Sequence, residues 1–156
     1  MNTNETMHYE SPEWKFALDV PSHWHTAPPV PANSPHELIR FVSGESKNFL
    51  TIVFRETLVF LEGHDLMWSL KWHAEQRGQI LAPHGYREFI GSRATIQTRP
   101  AWRLDFEKPE HWGTWHCRYY FTASGGFLFR VGFGTNDKAC MFPVFDQVAQ
   151  SFTIAE

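Results

Sequence analysis

The sequence predicts an α+β domain, a mainly antiparallel sheet of seven or eight strands flanked by helices. Three observations lead there. Between Thr114 and Thr135, Trp115, Cys117, Tyr119 and Phe121 alternate with polar neighbours, and Phe127, Phe129, Val131 and Phe133 repeat the period of two. A stretch from Leu66 to Arg77 instead spaces Leu66, Met67, Leu70 and Ala74 at helical intervals, with Asp65 placed to cap it and Gly78 just beyond. Near the C-terminus Phe142, Phe145, Val148, Ala149 and Phe152 fall three or four apart, with Pro143 at the helix opening.

The remaining elements follow from local chemistry. Residues 1–12 are polar and expected to be loosely ordered, leaving 13–156 as a single domain. Trp14, Phe16, Leu18 and Val20 alternate with Lys15, Ala17 and Asp19 as a first strand, which Pro21 ends. Prolines 28, 29, 31 and 35 forbid helix and central strand, so an extended loop is expected there. Leu38–Val42 and Phe49–Arg55 are apolar on both faces and read as a hairpin in a covered sheet, with the turn over 43–48. Tyr86–Ile90 and Ala94–Thr98 read as two short strands around Gly91 and Ser92. Trp102, Leu104 and Phe106 then face in while Arg103, Asp105 and Glu107 face out. If the two arms of the 114–135 hairpin bury a common face, paired residues sum to an even number, which requires the three-residue loop Ser124–Gly126. Phe121 then pairs with Phe129 and Tyr119 with Val131, and Trp115, Tyr119, Phe121, Phe129 and Val131 share one buried face.

Composition narrows the function. The chain has 156 residues, 42% of them apolar, enough for one compact core without disulfide or metal. Fourteen basic residues are scattered among 17 acidic ones for a net charge of −3, which gives no electrostatic footprint for nucleic acid. Cys117 and Cys140 are expected to be idle thiols in a reducing compartment. The N-terminal residues 1–6 carry neither a basic start nor an apolar run, so neither secretion nor membrane insertion is expected and the cytoplasm is the default.

No catalytic, cofactor or metal signature stands out. His23 and His25 could turn both rings to one side of an extended segment, but no further ligands complete a zinc set, so no metal is expected. His116 and Cys117 are neighbours on a strand and point to opposite faces, a poor arrangement for a thiol and its base. Ser124-Gly125-Gly126 and Gly132-Phe133-Gly134 lack the strand-to-helix context of a phosphate loop. The residues expected to meet a partner are His116, Arg118, Tyr120 and Arg130, in one polar row with Tyr120 opposite Arg130. Trp68 and Trp72 beside the helix stripe join them, and Trp112 is a further aromatic expected to be exposed. The competing expectation pairs Arg118 and Arg130 with Asp105 and Glu107, or buries them under a helix.

The first strand ending in Val20-Pro21, Trp24 three residues on, and Phe145, Val148, Ser151 and Phe152 at the far end resemble the Mog1/PsbP-like family. The order between these ends agrees: hairpin, helix, short strands, meander, helix. The resemblance implies a three-layer fold and members that bind proteins rather than catalyse. Its bacterial members include adaptor chaperones that shelter apolar helices of secreted effectors. The reading is therefore a non-catalytic adaptor or chaperone whose partner is another protein, with a homodimer left open and no cofactor. The alternative is a carrier of a small apolar ligand between sheet and helix.

Overall fold

The computed structural model describes residues 5–32, 34–43 and 49–155. Its elements in chain order are β1 (Thr6–Ser11), β2 (Phe16–Pro21), β3 (Trp24–Ala27), β4 (Glu37–Ser43), β5 (Phe49–Thr57), α1 (Leu66–Leu81), β6 (Arg87–Ile96), β7 (Arg99–Glu110), β8 (Gly113–Ser124), β9 (Phe127–Thr135), α2 (Lys138–Ser151) and β10 (Thr153–Ile154). Seven strands form one sheet in the order β3-β4-β5-β9-β8-β7-β6, and β1-β2-β10 form a second, with every pair antiparallel. The α+β class and the antiparallel meander agree with the sequence. The hairpin turn expected over 43–48 lies, from residue 44 on, outside the described residues.

Several elements depart from expectation. Thr6–Ser11, expected to be loose, pairs with β2 residue by residue. Met7 and Tyr9 give it little apolar signal, and all but Ser11 and Tyr9 are exposed. Gly78 lies inside α1, which runs on to Leu81, and packs against the Phe89 ring, where a Cβ would make only ordinary contact at 3.5 Å. The two short strands around Gly91 are one strand, β6, with an irregular register between Arg87 and Ile90. Helix α2 begins five residues before Pro143, capped by the Asp137 side chain, which accepts from the Cys140 N–H at 3.2 Å.

The largest correction concerns the β8–β9 register. Ser124 pairs with Phe127, so only Gly125 and Gly126 form the loop, with φ of 58° and 80°. Both central residues in the left-handed region are what a two-residue turn of the primed kind needs. Tyr119 then pairs with Gly132, Tyr120 with Val131 and Phe121 with Arg130. Consequently Phe121 and Phe129 lie on opposite faces, and the expected shared face does not exist. The premise of one buried face fails because this sheet is covered on both sides. On one, Phe129, Val131, Phe133 and Tyr120 pack with Phe16, Leu18 and Val20 of β2 and Phe145, Val148 and Phe152 at the C-terminus. On the other, Phe121 and Leu128 pack with Leu104, Phe106 and the α1 residues Leu70 and Ala74. Each fully buried Leu or Phe contributes about 1.5–3 kcal/mol, so both layers hold the fold.

Candidate functional site, a cationic cleft beside the first helix

Asp65 caps helix α1, its Oδ1 accepting from the Trp68 N–H at 2.8 Å, and Leu70 and Ala74 of the helix are fully buried. That packing covers the β7–β8 part of the sheet and leaves the neighbouring part open. Gly132 and Gly134 of β9 are buried on this face and, having no side chains, make room for two rings of β8. Tyr119 and Trp115 of β8 lean over them so closely that added Cβ atoms would come within 2.8 and 2.6 Å of the two rings. The result is a cleft of about 600 Å³. Leu50, Ile52 and Phe54 of β5 and Arg77, Ile80 and Leu81 of α1 line it, together with Arg40 of β4, Lys108 of β7 and Arg130 of β9.

Arg130 is the unusual member. It interrupts the otherwise apolar run Phe127–Phe133, is only 2% exposed, and its Nε is buried with no hydrogen-bond partner. The guanidinium lies 3.9 Å over the Phe54 ring, and Nη1 stands 3.9 Å from Glu56 Oε1, too far for a hydrogen bond. Burial first, then the charge of Arg77, pushes its pKa down from 12.5 to about 10. Arg130 still carries its charge at neutral pH. Cys117 also lines the cleft, where burial pushes its thiol well up and makes it a poor nucleophile.

The residues expected to form a partner row are not brought together. Arg130 lies on the α1 face, whereas His116, Arg118 and Tyr120 lie on the α2 face, since the true register sets Tyr120 beside Val131. Arg118 donates to both oxygens of Asp105 at 2.9 and 3.0 Å and of Asp146 on α2 at 2.9 and 3.0 Å. Tyr120 donates to the same Asp146 at 2.7 Å. These side chains fasten α2 to the sheet, as the competing expectation held for Arg118. Burial alone would lower the Arg118 pKa, but the hydrogen bonds and charges of Asp105 and Asp146 outweigh it and raise it. Burial, reinforced by Asp146, likewise raises Tyr120. Trp68 is half-buried and stacks on His64 with ring centres 3.8 Å apart, Trp72 is half-buried, and Trp112 is 50% exposed. Next to α1, Val59, Phe60 and Leu61 form an exposed apolar run outside the elements that the sequence predicts. His23 and His25 are exposed on either side of the buried Trp24. Among the described residues no group of three or more His, Cys, Asp or Glu could hold a metal ion, and no helix is long and apolar enough to cross a membrane.

No protein-family model and no curated protein matches the chain. Solved structures do. The cyanobacterial PsbP of Synechocystis sp. PCC 6803 is similar with a TM-score of 0.73 and 14% identity, over 96% of this chain and 92% of that one. The Ran-binding protein Mog1p of Saccharomyces cerevisiae gives 0.66 and 12% over 96% and 95%. LpqN of Mycobacterium tuberculosis, involved in cell envelope biogenesis, gives 0.62 and 15% over 97% and 91%. At these identities the likeness is one of architecture: a seven-stranded antiparallel sheet between helices, with a smaller sheet at its side, is the Mog1/PsbP-like fold, and this chain has it.

Proposed function

We propose that the protein is a non-catalytic adaptor or chaperone of the cytoplasm that binds another protein, a secreted effector being the partner in view, and that it receives an apolar segment of that partner in the cleft beside α1. The single observation that carries this is the open cleft of about 600 Å³ lined by Leu50, Ile52, Phe54, Ile80 and Leu81 and by the Tyr119 and Trp115 rings over Gly132 and Gly134. Open grooves walled by apolar side chains are how sheets and helices receive an apolar segment. Two further features support it. His116 and the buried Cys117 lie on opposite faces of β8, which removes the one nucleophile-and-base pair that adjacency suggested. Both cysteines are free thiols, in keeping with a reducing compartment.

Ile80 tests the proposal, because it lines the cleft and is 54% exposed, so a charge there need not disturb the fold. Ile80→Glu is expected to abolish co-purification of the partner while leaving the thermal midpoint within about 2 °C of wild type. Undiminished capture by the folded variant would exclude the cleft as the binding site. A purely apolar small ligand is the weaker reading, since it would leave the buried Arg130 Nε without a hydrogen-bond acceptor.

A further inference from the structure

The cleft is lopsided in charge. Arg40, Arg77, Lys108 and Arg130 line it together with His84, and among the described residues no Asp or Glu lines it. Two of the four cations have a carboxylate within 3.5 Å. Arg40 is paired with Glu37 at 2.6 Å, and Lys108 lies 3.5 Å from Glu110. The other two differ, because the Nε atoms of both Arg77 and Arg130 are buried and make no hydrogen bond. Glu56 does not fill the gap: it stands 3.9 Å from Arg130 Nη1 and 3.7 Å from His73 Nδ1, outside hydrogen-bond distance of either. A buried guanidinium without a hydrogen-bonded anion is costly, and native structures keep such groups where something else completes them. Here the cleft mouth gives an anion a route to both groups.

The shape of the site selects the anion. A guanidinium fork matches the two oxygens of a carboxylate. The walls beside Arg130 are Ile52, Phe54 and Tyr119, so the anion must arrive on an apolar stem and leave no further oxygens to be solvated. A phosphate, with more charge and three oxygens, would leave some of them against these apolar walls.

We propose that Arg130 and Arg77 form a carboxylate-recognition pair in the cleft, and that the partner segment received there is apolar with one acidic side chain at its centre. This rests on the reading of the cleft as a protein-binding site and adds the charge that the segment must carry.

The test uses the purified full chain and two blocked peptides, acetyl-Ser-Leu-Leu-Glu-Leu-Leu-Ser-amide and its counterpart with Gln in place of Glu. Affinity is measured by titration calorimetry, and the site is located by the Arg Nε–H resonances in nitrogen-15 spectra. The Glu peptide is expected to bind at least about tenfold more tightly than the Gln peptide, the worth of a charge-assisted pair in a desolvated site. Arg130→Met should shrink that preference to about twofold or less, and Arg77→Met, at a half-buried position, should reduce it in a protein whose core is untouched. Equal affinity of the two peptides for wild type, or a preference that survives in Arg130→Met, overturns the proposal while leaving the cleft as a binding groove. Inorganic phosphate and octanoate serve as further probes. If octanoate shifts the Arg130 resonance and neither peptide binds, the pair recognises a free organic acid and the protein-segment reading falls. If phosphate binds in place of both, the carboxylate assignment falls.

Discussion

Replacing Arg130 by methionine should make the protein more stable, which is the reverse of what removing a buried polar side chain ordinarily does. Lowering the guanidinium pKa from 12.5 to about 10 means that the fold disfavours its charge by about 3 kcal/mol. The Phe54 ring, 3.9 Å beneath it, returns about 1–2 kcal/mol that methionine would not fully replace. A net gain of about 1–2 kcal/mol remains, or about 2–8 °C in Tm for a chain of this size. Thermal unfolding followed by circular dichroism near neutral pH measures it. The sign with pH is also fixed. Above about pH 10 the folded protein releases the Arg130 proton while the unfolded chain still holds it, so wild type gains stability relative to the variant and the gap narrows. A Tm that falls by several degrees in Arg130→Met would refute the reasoning, because it would mean that the arginine is satisfied within the fold and awaits no ligand.

Other consequences follow from groups outside the cleft. Arg118→Met leaves Asp105 and Asp146 facing each other without their shared cation. With Arg118 11% exposed and Asp146 42% exposed, the cost should be about 2–3 kcal/mol, seen as a Tm lower by about 5–10 °C. A Tm within about 2 °C would mean that the network contributes nothing. His73 accepts the Val59 N–H at its Nε2 (2.9 Å), and burial foremost lowers its pKa from 6.5. Below about pH 6.5 the unfolded chain therefore takes up a proton that the folded state refuses, and stability is lost as the pH falls. Replacing His73 with glutamine should flatten that decline in thermal scans from neutral to mildly acidic pH, and an unchanged decline would assign it to other groups.

The strands and helices were legible where a single apolar face met water or a cap was local. Asp65 marked the start of α1 because its side chain acts three residues away, and the 142–152 spacing marked α2. The β8–β9 register was not legible from the alternation of β8 alone. In β9, Leu128 and Arg130 on one face are as buried as Phe129 and Val131 on the other, so parity gives no choice of loop length. The near-continuous apolar run Phe127–Phe133 was the available sign of a strand covered on both sides. The cleft was hidden for a different reason, since Arg77 and Arg130 meet only through tertiary packing. Its traces in the sequence are an arginine in a buried strand and two glycines at alternate positions, opposite Tyr119 and Cys117, which make room for Tyr119 and the neighbouring Trp115. The polar row of β8 misled because Asp146, which occupies Arg118 and Tyr120, arrives from a helix 26 residues beyond Tyr120.

That the cleft beside α1 is where a protein partner sits is tested most directly by site-specific photocrosslinking in the producing cell. The photoreactive residue benzoylphenylalanine is placed at Ile80, on the cleft wall, and separately at Gln147, exposed on α2 on the opposite side of the sheet. Position 80 is expected to yield one discrete covalent adduct with a protein whose crosslinked peptide, read by mass spectrometry, is apolar and carries an acidic residue, and position 147 none. An adduct from position 147 alone, or equal adducts from both, would contradict the assignment of the cleft.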